Sequence, residues 1–193
     1  MRRIGLLPLL CLALSGCAAT VTPPDAPREP RTLYLVDHGY HTSLILTTAD
    51  EDLVRWAYGE WRWYVEGERG SARLFPVLAM PTQAALGRGV VRAAPDPAAI
   101  RAALPVVTER IMAFEAEAPL VDGLLARNET LFAAGLEDGH YDNHWVGLVF
   151  VRHPVPYTFR HNSNHVIADW LEQMAFRVDG NPMFGRWRLA VAP

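Results

Sequence analysis

The chain has 193 residues, a formal net charge of −3, and half of its residues are hydrophobic. That length fits one domain with a sizeable core, and the mild acidity offers no basic face for nucleic acid. Both cysteines, Cys11 and Cys17, lie at the N-terminus, so any domain beyond them has neither a disulfide nor a cysteine nucleophile.

Met1-Arg2-Arg3 is a short positive segment, and Ile4 to Ala13 is almost wholly apolar. Its length, about ten residues, suits the core of an export signal and is too short to span a bilayer. Leu14-Ser15-Gly16-Cys17 follows and resembles the bacterial lipobox. That resemblance implies a signal peptide over 1–16, cleavage before Cys17, and lipidation of Cys17 as the membrane anchor. Several acyl chains hold a protein stably where one does not. Ala18, and not Asp, would be the second mature residue, which by resemblance to enterobacterial sorting rules favours the outer membrane of the cell envelope, facing the periplasm. Residues 17–31, rich in proline, read as the lipidated cysteine and a flexible tether, leaving 32–193 as a single domain.

Within the domain, Leu33 to Val36 is a short β-type run and Asp37-His38-Gly39-Tyr40 a turn. His41 to Thr47 is a second strand candidate and Leu53 to Tyr58 a third element of undecided type. Trp61 to Val65 alternates and suggests a strand; Leu74 to Met80 is apolar and stops at Pro81. Pro97 to Leu104, Val106 to Glu117 and Leu120 to Gly135 carry Ala, Glu, Arg and Leu at helical spacing. Gly139 to His144 reads as a polar loop and Val146 to Val151 as a strand closed by Pro154. From Asn164 to Phe176, the residues Val166, Ile167, Trp170, Leu171 and Met174 share one helical face. Trp187 to Val191 adds a last strand candidate. The sum is an α+β domain.

Two segments hold candidate chemistry. His38-Gly39-Tyr40-His41-Thr42 opens a strand, and His161-Asn162-Ser163-Asn164-His165 opens the last helix. A nucleophile at a helix start gains from free backbone N–H groups that can hold an oxyanion, and a histidine on a neighbouring strand can be its base. The runs LYLVDHGYHTSLIL, YGEWRWY and HNSNHVIADWL resemble an uncharacterised bacterial lipoprotein family of the circularly permuted papain-like superfamily. That superfamily includes lecithin–retinol acyltransferase and cell-wall endopeptidase relatives. The likeness spans about residues 33 to 178 but rests on these three patches. It implies an antiparallel sheet with a nucleophile-bearing helix packed against it.

Carried over by position, the resemblance makes His41 the general base and Glu60 its orienter. It puts Ser163 where the family usually has cysteine, with Asn164 and Asn162 at the oxyanion or helix-cap positions. The expected activity is then a Ser-His hydrolase or acyltransferase acting on an envelope amide or ester, such as a cell-wall peptide or a lipid, without a cofactor. A serine hydroxyl is a much weaker acid than a thiol and must lose its proton in the transition state. The alternative is therefore a catalytically inactive papain-like lipoprotein that binds an envelope ligand or protein partner. Asn-Ser-Asn also reads simply as a helix cap. His161 and His165, spaced i, i+4, and the alternating His140, Asp142 and His144 raise a metal site, which the lack of an H-E-x-x-H pattern disfavours. Trp56, Tyr58, Trp61, Trp63 and Tyr64 suit either a core or a sugar-stacking surface.

Overall fold

The computed structural model describes residues 18–67 and 80–190, so Cys17 and most of the apolar run ending at Met80 lie outside the described residues. In chain order the strands are β1 (Ala19–Thr22), β2 (Pro30–Asp37), β3 (Thr42–Thr47) and β4 (Leu53–Glu60). A helical turn α1 (Trp61–Tyr64), strand β5 (Thr82–Val91), helix α2 (Pro97–Ala103), strand β6 (Arg110–Glu117) and helix α3 (Ala118–Glu137) follow. The chain closes with β7 (His140–Asn143), β8 (Leu148–Tyr157), helix α4 (Ser163–Gln173), β9 (Arg177–Gly180) and β10 (Trp187–Leu189).

Seven strands form one sheet in the order β6-β2-β3-β4-β5-β8-β7, and every neighbouring pair is antiparallel. The fold is α+β. Strands β3 and β4 are buried at every position, because layers cover both faces of the sheet. Their near-continuous apolar sequences follow from that two-sided burial. On one face Leu35, Leu44, Leu46, Trp56 and Leu86 meet Val121, Leu124 and Phe132 of α3 and Ile167, Trp170 and Leu171 of α4. On the other face Tyr34, Val36 and Ile45 meet Ile100 of α2, while Ala57, Ala85 and Phe150 pack with Trp61.

Several sequence expectations are corrected. The stretch 106–117 has helix-forming residues, yet 110–117 is strand β6, paired along the full length of β2. Phe114 and Ala116 point into the core while Glu115 stays out; burial and pairing outweigh a helix propensity worth only tenths of a kcal/mol per residue. Trp61–Tyr64 is a helical turn and not a strand, because the Glu60 carboxylate accepts the Trp63 N–H at 2.8 Å and caps it. The expected loop at 139–144 contains strand β7, on the sheet edge. Strand β8 runs through Pro154 to Tyr157; β7 ends its pairing at Val151, so Pro154 and Pro156 have no partner on that side to donate to.

The tether expected over 17–31 is corrected most sharply. Ala19–Thr22 is the central strand of a second sheet, ordered β10-β1-β9, with Ala19 and Val21 wholly buried. Two alternating buried residues flanked by two paired strands leave no slack between Ala18 and the domain.

Candidate functional site

Helix α4 begins at Asn162, whose side-chain oxygen accepts the N–H groups of Asn164 at 3.0 Å and His165 at 3.1 Å. This is the cap that Asn-Ser-Asn suggested, and it occupies the Asn164 N–H proposed for an oxyanion. The Asn162 amide in turn donates to Met183 O, and the Asn164 amide donates to Tyr40 O and Met183 O. Ser163 is buried, and its backbone N–H and hydroxyl lie close enough to Tyr157 to act on the phenol. Burial pushes the Tyr157 pKa up, these two contacts pull it back, and Glu60 nearby pushes it up again. Tyr58 stacks on Tyr157 and meets the His161 ring nitrogen at 3.1 Å. Ser163, Tyr157, Tyr58, His161 and Glu60 thus share the helix-covered side of the sheet.

His41 belongs to the other side. Its ring packs 5.3 Å from Tyr64 and 6.1 Å from His38. The Tyr64 ring covers Gly59, where a Cβ would meet it at 2.3 Å, and stacks on Phe150 of the opposite core. No hydrogen bond joins His41 to Ser163, and neither His41 ring nitrogen is hydrogen-bonded within the described residues. The structure therefore sets Glu60 and Ser163 near Tyr157 and packs the His41 ring against Tyr64 and His38. The physical reason is the pleat: Thr42, Leu44 and Leu46 face the helices, so the odd positions Ser43 and Ile45 face away, and the His41 ring joins them. Glu60 caps α1.

Around His41 lies a polar cluster built on Arg55, which is 3% exposed. Its Nε donates to Ser43 Oγ at 2.9 Å and its Nη1 to Val146 O at 2.9 Å, and Nη2 lies 3.1 Å from His38 Nε2. His38 Nε2 is also 3.0 Å from Ser43 Oγ, and its Nδ1 lies 2.9 Å from Val107 O. Among the described residues no carboxylate pairs with Arg55. Burial lowers its pKa to about 10, which still leaves it charged at neutral pH. Burial, reinforced by Arg55, drives His38 down to about 4, and burial with His38 and Arg55 holds His41 well below its usual value. Both rings are neutral at pH 7, so one buried positive charge dominates the cluster.

The rim is apolar. Val107, whose carbonyl meets His38, and Trp145, next to the Val146 carbonyl that meets Arg55, are each 84% exposed. Sequence reasoning passed over Ser43, Arg55 and Tyr157, and gave His38 and Tyr64 no individual role. The available signal was Arg55 itself, a charge inside the apolar run LVRWAY.

The histidine pairs considered for metal are separated by their partners: His161 meets Tyr58, His165 Nδ1 meets Asn162 Oδ1, and exposed His144 meets Asp142 at 3.4 Å. Among the described residues, no three His, Asp or Glu side chains converge for a metal. Of the aromatic patch, Trp56, Tyr58 and Trp61 are core, and Trp63 is exposed. No protein-family model, no curated protein and no solved structure matches this chain.

Proposed function

We propose that this chain is a lipid-anchored protein of the bacterial cell envelope that binds an anionic ligand without turning it over. The observation that carries the reading is the buried Arg55 guanidinium, which has no carboxylate partner among the described residues, next to a His41 ring whose nitrogens are unbonded within them. An isolated buried cation costs several kcal/mol, and neutral donors and acceptors offset only part of that, so an acid group arriving at His41 and Tyr64 meets a favourable field. Exposed Val107 and Trp145 then suit the body of the ligand. A cell-wall peptide fits this chemistry, since it carries carboxylates on a chain with apolar side groups. In this reading the fold is a papain-like variant, with helix α4 lying against an antiparallel sheet but the serine at its start buried near Tyr157. The anchor on Cys17 would keep the protein at the outer membrane, facing the periplasm.

Titration calorimetry with a soluble, carboxylate-bearing cell-wall peptide tests this. Binding is expected for the native protein and is weakened about tenfold or more by His41→Gln, the loss of one hydrogen bond to a charged group. A serine-directed fluorophosphonate is expected to leave Ser163 unlabelled. Labelling of Ser163 that His41→Ala abolishes would overturn the binding reading in favour of a hydrolase or acyltransferase.

A further inference from the structure

We propose that the end of the domain around Ala18 docks on the membrane surface through three loops, each presenting an aromatic side chain to the lipid. This rests on the reading of Cys17 as the lipid anchor. Cys17 itself lies outside the described residues, and Ala18 is the residue that follows it in the chain. Ala18 is fixed: its carbonyl accepts the Asn181 N–H at 3.2 Å, and the next residue, Ala19, donates to Arg186 O at 2.9 Å. With β1 buried between β9 and β10, acyl chains on Cys17 hold this end of the domain at the headgroups, with no linker to let it rise.

The 181–186 loop passes around the start of β1 and ties this end to the two neighbouring turns. Gly185, at φ +69°, lies so near the 38–41 turn that a Cβ would meet Gly39 O at 2.6 Å. Asn164 bridges Tyr40 O and Met183 O, and Asn162, which follows the 158–161 turn, also donates to Met183 O. From these three tied loops emerge Tyr40 at 84%, Phe184 at 43% and Phe159 at 39% exposure. Arg160 and Arg186 are exposed beside them. Aromatic rings settle at the bilayer interface, and arginine is drawn to anionic headgroups. Exposed aromatics surrounding a lipidated residue with no slack fit a lipid surface better than a partner protein free to approach from any side.

The test uses the full lipidated chain in vesicles of phosphatidylethanolamine and phosphatidylglycerol. No cysteine follows Cys17, whose sulfur would be in thioether linkage, so Tyr40→Cys, Phe159→Cys, Phe184→Cys and Asp50→Cys variants each take a single nitrobenzoxadiazole label. Asp50 lies in the turn at the far end of β3 and is the reference. The three loop labels are expected to shift to the blue and to be quenched by nitroxide-bearing lipid about twofold or more above Asp50, as for groups a few ångströms into the interface. Quenching no greater than at Asp50, with lipid found on Cys17 by mass spectrometry, overturns the docking face alone. A blue shift without lipid quenching assigns the face to contact with a second copy of this chain and overturns it too. An unmodified Cys17 overturns the anchor reading together with the proposal.

Discussion

His38 links the buried cluster to pH. Free histidine titrates near 6.5, whereas His38 in the fold titrates at about 4, because burial and Arg55 penalise its protonated form. Between those values the unfolded chain binds more protons than the folded one. The stabilisation is therefore complete above about pH 6.5 and is lost as pH falls toward 4. His38 alone accounts for about 3 kcal/mol across that window, and His41 acts in the same direction. Asp37, whose carboxyl burial pushes up, opposes this at the acid end. Urea midpoints measured from pH 7 to pH 4 are expected to fall steeply, and His38→Gln to flatten the slope. Part of this site could be read beforehand: His38 and His41 stood in a quoted segment, and Asn162 was a cap by composition. Arg55 as its centre could not, since an arginine in an apolar strand reads equally as an edge position. Only burial on both faces of β4 shows that the charge is enclosed.

At the scale of elements, local preference and packing compete openly in α3. Gly135 sits on its buried face, and a Cβ there would meet Val151 Cβ and Cγ2 at 2.7 Å. Gly→Ala in a helix interior normally gains up to about 1 kcal/mol. Forcing a methyl group into a packed contact costs about 1–3 kcal/mol, because α3 must lift from β8. Gly135→Ala is thus expected to destabilise, with a lowered urea midpoint at unchanged slope, whereas Gly123→Ala on the same helix, with open space around its Cβ position, is expected to stabilise. The same contest explains the misread segment 106–117. Its Ala, Glu and Met residues favour helix, but β2 offers a full-length partner and Phe114 a place in the core. Helices α2 and α4 were legible because their starts carry the chemistry: the Asp96 side chain accepts the Ala98 and Ala99 N–H groups, with Pro97 opening the helix.

For the whole molecule, the N-terminal segment matters more than its composition suggests. Proline-rich polar sequence reads as linker, and a recombinant domain cut at Thr32 would follow from that reading. It would remove β1, leaving β9 and β10 without the strand between them and exposing Trp187 at the gap. Burial of Val21 alone is worth about 1.5–3 kcal/mol, and the lost ladder bonds to both neighbours add to it. A chain beginning at Ala18 is expected to unfold in one cooperative urea transition. One beginning at Thr32 is expected to show a lowered midpoint or to aggregate.

Local chemistry settles much of this protein before any folding. Helix caps at Asp96 and Asn162, the continuous apolar runs of β3 and β4, and the absence of cysteine beyond residue 17 all follow from side chains and their immediate neighbours. Distant contacts settle the rest. Whether 110–117 is a strand depends on β2 some 80 residues away, and whether 19–22 is anchored depends on β9 and β10 at the other end of the chain. The site turns on the same distinction. A strand has two faces, and the sequence places His41 and Ser163 at the openings of two elements without saying which face each will meet. The sheet's pairing assigns Ser163 to Tyr157 on one side and His41 to Tyr64 and the Arg55 cluster on the other.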